Sequence, residues 1–138
     1  MAKRKKETLM LSKICDELRT KGELSSKESL NAVKHFRKRY DDAINLVDEN
    51  CIKKYIFKPS RRILWVVEGR KKEYQIFPET NFCNCDDYYF RVMKFEKDLC
   101  YHLIAQKIAE ALSKYQKMEM SDSDYASITK KFRPEREV

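Results

Sequence analysis

A chain of 138 residues and 16.6 kDa has room for one domain of ordinary size with a real core, which excludes a second, separate catalytic domain. Apolar residues at 42% against 38% charged exclude a disordered chain, while two glycines and three prolines exclude a glycine-rich phosphate cradle. The excess of 30 Lys and Arg over 22 Asp and Glu, net +8 with a pI near 9.2, favours an acidic partner, nucleic acid first; lysine-rich solubility is the plain rival.

The start, Met1-Ala2-Lys3-Arg4-Lys5-Lys6, leads into an amphipathic segment rather than a secretory core, and no apolar run approaches bilayer length. The expectation is a soluble, intracellular protein with no membrane contact: cytoplasm or nucleoid in a prokaryote, nucleus in a eukaryote. Leu11, Ile14, Cys15 and Leu18 fall at i, i+3, i+4, i+7 spacing with Gly22 as a stop, which predicts a first helix over about residues 8 to 20. Ser25-Ser26-Lys27-Glu28 then offers a capping box, and Leu30, Val33, Phe36, Tyr40, Ile44 and Val47 mark the apolar stripe of one longer helix. From Cys51 the chain turns β-branched and aromatic. Ile52 to Phe57, Ile63 to Val67 and Tyr74 to Phe77 read as a three-stranded antiparallel meander, broken by Pro59-Ser60 and Gly69. Ile63-Leu64-Trp65-Val66-Val67 is apolar without alternation, so a helix or a partner must cover its second face. Asp86 to Phe95 reads as a short helix, Leu103, Ile104, Ile108, Ala111, Leu112 and Tyr115 trace a stronger one from about residue 101, and Ser121-Asp122-Ser123-Asp124 caps a last short segment before a charged tail beyond Phe132. The fold class is α+β: N-terminal helices, the meander, then a CxC…CxH site leading into a C-terminal helix. The expected divisions are a helical segment over 1–48, a domain of meander, CxC…CxH site and helix over 49–118 and a short C-terminal segment over 119–138.

Cys83-Asn84-Cys85 and Cys100-Tyr101-His102 carry the chemistry. Structural zinc takes four nitrogen or sulfur ligands in a tetrahedron, with Zn–S near ~2.3 Å, so neighbouring sulfurs must come to roughly 3.8 Å. In extended backbone residues i and i+2 share a face, so Cys83 and Cys85 can meet one ion only if Asn84 sits in a strand-like stretch or a turn. The same holds for Cys100 and His102, which puts the helix start at or just after that pair. Four protein ligands close the shell, so the expected cofactor is one structural zinc ion and not a catalytic metal. A cysteine nucleophile paired with His102 is the rival; three thiols around one imidazole suit a metal better. Five cysteines in a chain without an export signal argue against a disulfide framework, and Cys15 and Cys51, with no second ligand beside them, read as ordinary thiols.

These pairs resemble the SWIM zinc finger, whose pattern is CxC, a variable gap, then CxH. Ala43-Ile44-Asn45-Leu46-Val47-Asp48, Cys100-Tyr101-His102-Leu103-Ile104-Ala105 and Ser121-Asp122 extend the likeness, from about Asp41 to Phe132, to the small SWIM proteins of the Shu complex. The resemblance implies that Cys83, Cys85, Cys100 and His102 bind zinc and that Ala105 is a packing position beside the site. It further implies a non-enzymatic partner of a RecA-like recombinase paralogue in homologous recombination repair, helping recombinase filaments on single-stranded DNA through that complex.

Basic residues cluster at Lys58, Arg61 and Arg62, at Arg70, Lys71 and Lys72, and along His35 to Arg39. The first two groups, weighed as nucleic-acid or partner contacts, sit at successive turns of a meander and therefore at opposite ends of a sheet. Solvated turns are the plain alternative. Trp65, Tyr88, Tyr89 and Phe90 could stack on bases, but aromatics beside a zinc site more often pack its core. Two functions stay open: an interaction subunit presenting an apolar surface, the Ile63 to Val67 strand or the Leu103 to Tyr115 helix, to the paralogue or a second copy; and an autonomous nucleic-acid-binding zinc module, regulatory or mobile-element-like.

Overall fold

A computed structural model describes residues 2–69, 72–80, 82–85 and 99–132, and their side chains from Lys6 onward. Helix α1, Ala2–Lys21, begins earlier than its apolar stripe because the Ala, Lys and Arg before it are themselves good helix formers. It stops at Gly22, whose φ of +78° lets its N–H reach the Leu18 carbonyl at 2.9 Å. The cap of α2, Lys27–Phe36, is Ser26 rather than Ser25: its hydroxyl accepts from the Ser29 N–H at 3.1 Å, while Glu28 pairs with Lys13.

The single long helix expected next is two. Arg37, at φ 54° and ψ −121°, separates α2 from α3, Lys38–Asp48. The break lets each piece find its own neighbour, α2 on α1 and α3 on α4 (Tyr101–Leu112), and buries both Phe36 and Arg39. His35 and Arg39, part of a basic face in the sequence, point inward: His35 Nε2 lies 2.7 Å from Glu7 Oε2, and the Arg39 fork meets both Glu7 oxygens at 2.7 and 3.0 Å.

The meander is present as β1 (Ile52–Lys58), β2 (Arg62–Glu68) and β3 (Glu73–Phe77). It is the middle of a larger sheet of order β4-β3-β2-β1-β5, with β4 (Phe82–Cys83) antiparallel to β3 and β5 (Gln116–Ser121) parallel to β1. Strand β5 goes beyond the sequence expectation; α4 supplies the crossover that brings it alongside β1.

The sheet is covered on both sides. Ile52, Trp65, Val67, Ile76 and Cys83 face the helices in one core, joined by Leu11, Ile14, Ala43, Val47, Leu103, Ile104 and Ile108. Tyr55, Phe57, Leu64 and Val66 face the other way, under Met118, Met120, Tyr125, Ile128 and Phe132. The second face of β2 is thus covered by the chain itself: β5, helix α5 (Tyr125–Thr129) and the 3-10 turn Lys130–Phe132. Ser121 caps the turn Asp122–Asp124 that starts this cover, as its sequence suggests. The helix read at Asp86 to Phe95, with Tyr88, Tyr89 and Phe90, lies outside the described residues, as does the tail beyond Phe132. Among the described residues no helix is long and apolar enough to cross a membrane.

Candidate metal centre

Cys83 ends β4, paired across from Ile76, so its side chain points to the helix-covered face of the sheet. Asn84 then replaces a ladder bond with its side chain: Oδ1 accepts from the Gln75 N–H at 3.0 Å, while its own N–H reaches the Gln75 carbonyl at 3.4 Å. This keeps the stretch close to strand geometry through Asn84 and returns Cys85 to the same side, as the CxC spacing requires.

The second pair straddles a helix start. Cys100, with extended φ −84° and ψ 166°, is the residue before α4, and His102 lies in its first turn. The helix therefore begins within the pair and not after it. A bend between an extended residue and a helical one aims both side chains at one spot, whereas two positions of one continuous helix would splay them.

The result is one cluster. Three sulfurs and one imidazole nitrogen lie within 4.8 Å of one another, and all four residues are buried. Both ring nitrogens of His102 are buried without a hydrogen-bond partner, which is costly for a polar group unless something else satisfies it. Cys85 is pulled below the ordinary thiol value because Cys100 and Cys83 donate to it. Hydrogen bonding to Cys100 and Cys85 pushes Cys83 up, and burial pushes Cys100 up. Buried thiols this close resist ionising together unless a cation sits among them. A donor set of three sulfurs and one nitrogen suits zinc and not calcium or magnesium, and a Lewis-acidic ion would answer one of the two orphaned imidazole nitrogens and the crowded sulfurs at once.

Aromatic rings wall the site. Tyr74 lies 4.7 Å from His102 between centroids and Tyr101 lies 4.1 Å from it. Gly69 makes the first of these contacts possible: a Cβ there would sit 2.6 Å from Tyr74 Cε2. Sequence reasoning misses both Tyr74 and Gly69 as parts of the site. The glycine between two strands is the available signal, but it reads only as a turn. Ala105 is fully buried, one turn beyond His102. Cys15 and Cys51 stay apart from the cluster; burial pushes the Cys15 thiol up to about 12, so it stays protonated.

The chain is 37% identical over 62% of its length to the zinc finger SWIM domain-containing protein 7 homolog of Dictyostelium discoideum, and 28% identical, again over 62%, to the human zinc finger SWIM domain-containing protein 7. An uncharacterized protein of Archaeoglobus fulgidus is 33% identical over 70% of this chain and 75% of its own length. The chain belongs to one family with the archaeal protein and carries a SWIM-type zinc finger. It spans 56% of the Dictyostelium and 62% of the human protein. No family model and no solved structure matches it.

Of the basic residues weighed as contacts, Lys58, Arg61, Arg62 and Lys72 are among the described residues. At the β1–β2 turn Lys58 pairs with Glu119 at 3.2 Å and the Arg62 guanidinium lies 4.1 Å from the Tyr125 ring centroid, while Arg61 is exposed with φ 65°. Lys72 sits over Tyr74 at 5.6 Å, and Arg70 and Lys71 lie outside the described residues. Trp65 packs edge-to-face on Tyr115 at 5.1 Å and is not available for stacking on a base.

Proposed function

We propose that this protein is a non-enzymatic accessory subunit in homologous recombination repair. One zinc ion, held by Cys83, Cys85, Cys100 and His102, stabilises its fold. It pairs with a RecA-like recombinase paralogue and supports recombinase filaments on single-stranded DNA through that complex. The observation that carries the reading is the closed, buried cluster of three thiols and one imidazole: four protein ligands leave no open position for a substrate or an activated water, so the ion's task is to hold shape. The recombination role rests on the SWIM resemblance.

The apolar surfaces expected to meet the partner need relocating. Leu64 to Val67 and most of Leu103 to Ala111 are consumed by the chain's own core, leaving Ile63, Phe77 and Phe82 as exposed large apolar residues along the sheet. Phe77 and Phe82 lie side by side on β3 and β4, with ring centroids 5.6 Å apart, and offer the paralogue an apolar contact near the zinc site. Net charge of +8 favours the rival, an autonomous nucleic-acid binder.

A salt series separates the two. Single-stranded DNA binding by the pure chain is expected to be weak at physiological ionic strength, and assembly with the paralogue largely salt-resistant. Tight binding by the chain alone that falls steeply with salt overturns the subunit reading.

A further inference from the structure

The residue just before the second ligand pair is held at both of its backbone polar groups by side chains from the N-terminal helices. Arg39 Nη1 donates to the Leu99 carbonyl at 2.7 Å, and the Leu99 N–H donates to Glu7 Oε1 at 3.3 Å. Glu7 and Arg39 are themselves paired in two places, at 2.7 and 3.0 Å, and each is only 4% exposed. Leu99 itself is fully buried. His35 adds a contact to the second Glu7 oxygen at 2.7 Å, and the Arg39 guanidinium lies 5.1 Å from the Phe36 ring centroid, so both charged groups are fixed in place.

A buried ion pair is expensive in desolvation and often contributes little to net stability, which raises the question of what this one does. Its geometry answers. An amide and a carbonyl of one residue, clamped from two directions, leave the peptide planes around it little freedom. Cys100 comes directly after, in the extended conformation from which its sulfur meets Cys83, Cys85 and His102. We propose that Glu7 and Arg39 are positioning residues of the metal centre: acting through Leu99, they fix the approach of Cys100 and thereby set how tightly the four-donor cluster grips its ion. Both side chains of the clamp lie ahead of the stretch of SWIM likeness, which starts near Asp41: Glu7 in α1 and Arg39 in the first turn of α3. The inference rests on the zinc reading of the four ligands.

The test uses the full chain and two variants. Arg39→Lys keeps the charge and a pairing with Glu7, but its side chain ends one bond short of Nη1, the nitrogen that donates to both Glu7 Oε1 and the Leu99 carbonyl, so the ammonium gives up the Leu99 contact. The double variant Glu7→Leu with Arg39→Met removes both charges together and leaves no unpaired one buried. Zinc affinity is read by competition with a chromogenic chelator, and the ligand field by the visible spectrum of the cobalt-substituted protein. Both variants are expected to keep their helical circular dichroism, to lose about ten-fold or more in zinc affinity, as outer contacts to metal ligands usually do, and to show altered cobalt bands. Val66→Ala, on the far face of the sheet, is the control: it lowers stability and leaves the cobalt bands unchanged. Folded variants with parental affinity and spectrum overturn the proposal. So does failure of both variants to fold, because the pair would then hold the fold and not tune the site. If the parent chain takes up no zinc or cobalt, the zinc reading itself fails and this inference falls with it, an outcome visible before any variant is measured.

Discussion

At the scale of single residues, the metal centre depends on every one of its four donors, because a tetrahedral shell with three ligands must admit water and loses its reason to stay dry. Cys85→Ser is expected to abolish stoichiometric zinc binding and to expose the first turns of α4, read by metal analysis and by hydrogen exchange over residues 101–106. Acid acts on the same atoms. Cys83 and Cys100 hold their protons more tightly than ordinary thiols, so metal uptake must displace them, and affinity falls as pH is lowered. Such donors are legible from spacing alone, since CxC and CxH pairs bring a small set of geometries with them. The rings around them are not. Tyr74 lies ahead of both ligand pairs in sequence, in a strand whose composition says only that it is half-buried, and Gly69 reads as a turn until the ring it makes room for is seen.

At the scale of elements, helices are legible through their apolar spacing and strands through β-branched and aromatic runs. Two departures have physical causes. Arg37 breaks a stripe that continues on both sides of it, with no glycine or proline to announce the break; the packing of α2 on α1 and of α3 on α4 overrides local preference. Strand β5 is written largely in Gln, Lys, Met and Glu, all good helix formers, and its signal is the alternation that turns Met118 and Met120 to one face. The turn between α1 and α2 offers a test. Glu17 accepts from the Ser25 and Ser26 N–H groups at 2.9 and 3.1 Å, which lowers its pKa from 4.5 to about 2. A carboxyl depressed in the folded chain stabilises it fully above its ordinary pKa and gives that up as pH falls through the folded value. Glu17→Gln should therefore be less stable than the parent at neutral pH, and the gap in denaturant midpoint should close between pH 4.5 and about 2.

At the scale of the whole molecule, the sheet carries two cores of unequal kind. One is large, shared with four helices, and contains the metal cluster; the other is small and rests on β5 and the segment from Tyr125 to Phe132. Phe57 anchors the small core, fully buried and edge-to-face with Tyr125 at 4.9 Å. Phe57→Ala is expected to cost about 3–5 kcal/mol in urea unfolding while leaving the zinc stoichiometry of the folded protein unchanged. The opposite pattern, zinc lost with stability kept, would show the two cores to be linked through the metal. Sequence reading reaches the need for a cover over β2 but not its source, because the covering residues lie far along the chain from the strand they protect. The Glu7–Arg39–Leu99 clamp is illegible for the same reason, its members being 32, 60 and 92 positions apart.

Strand β1 takes its parallel neighbour from residues 116–121, which are made only after the ligand pairs and α4 have been synthesised. During synthesis one flank of β1 therefore stays open until more than a hundred residues have left the ribosome, a sticky edge of the sort that recruits other nascent chains. Early metal capture would shorten that exposure by seating α4 and steering the last strand into register, so scarcity of zinc during translation should show itself first as aggregation of new protein, with material already folded spared.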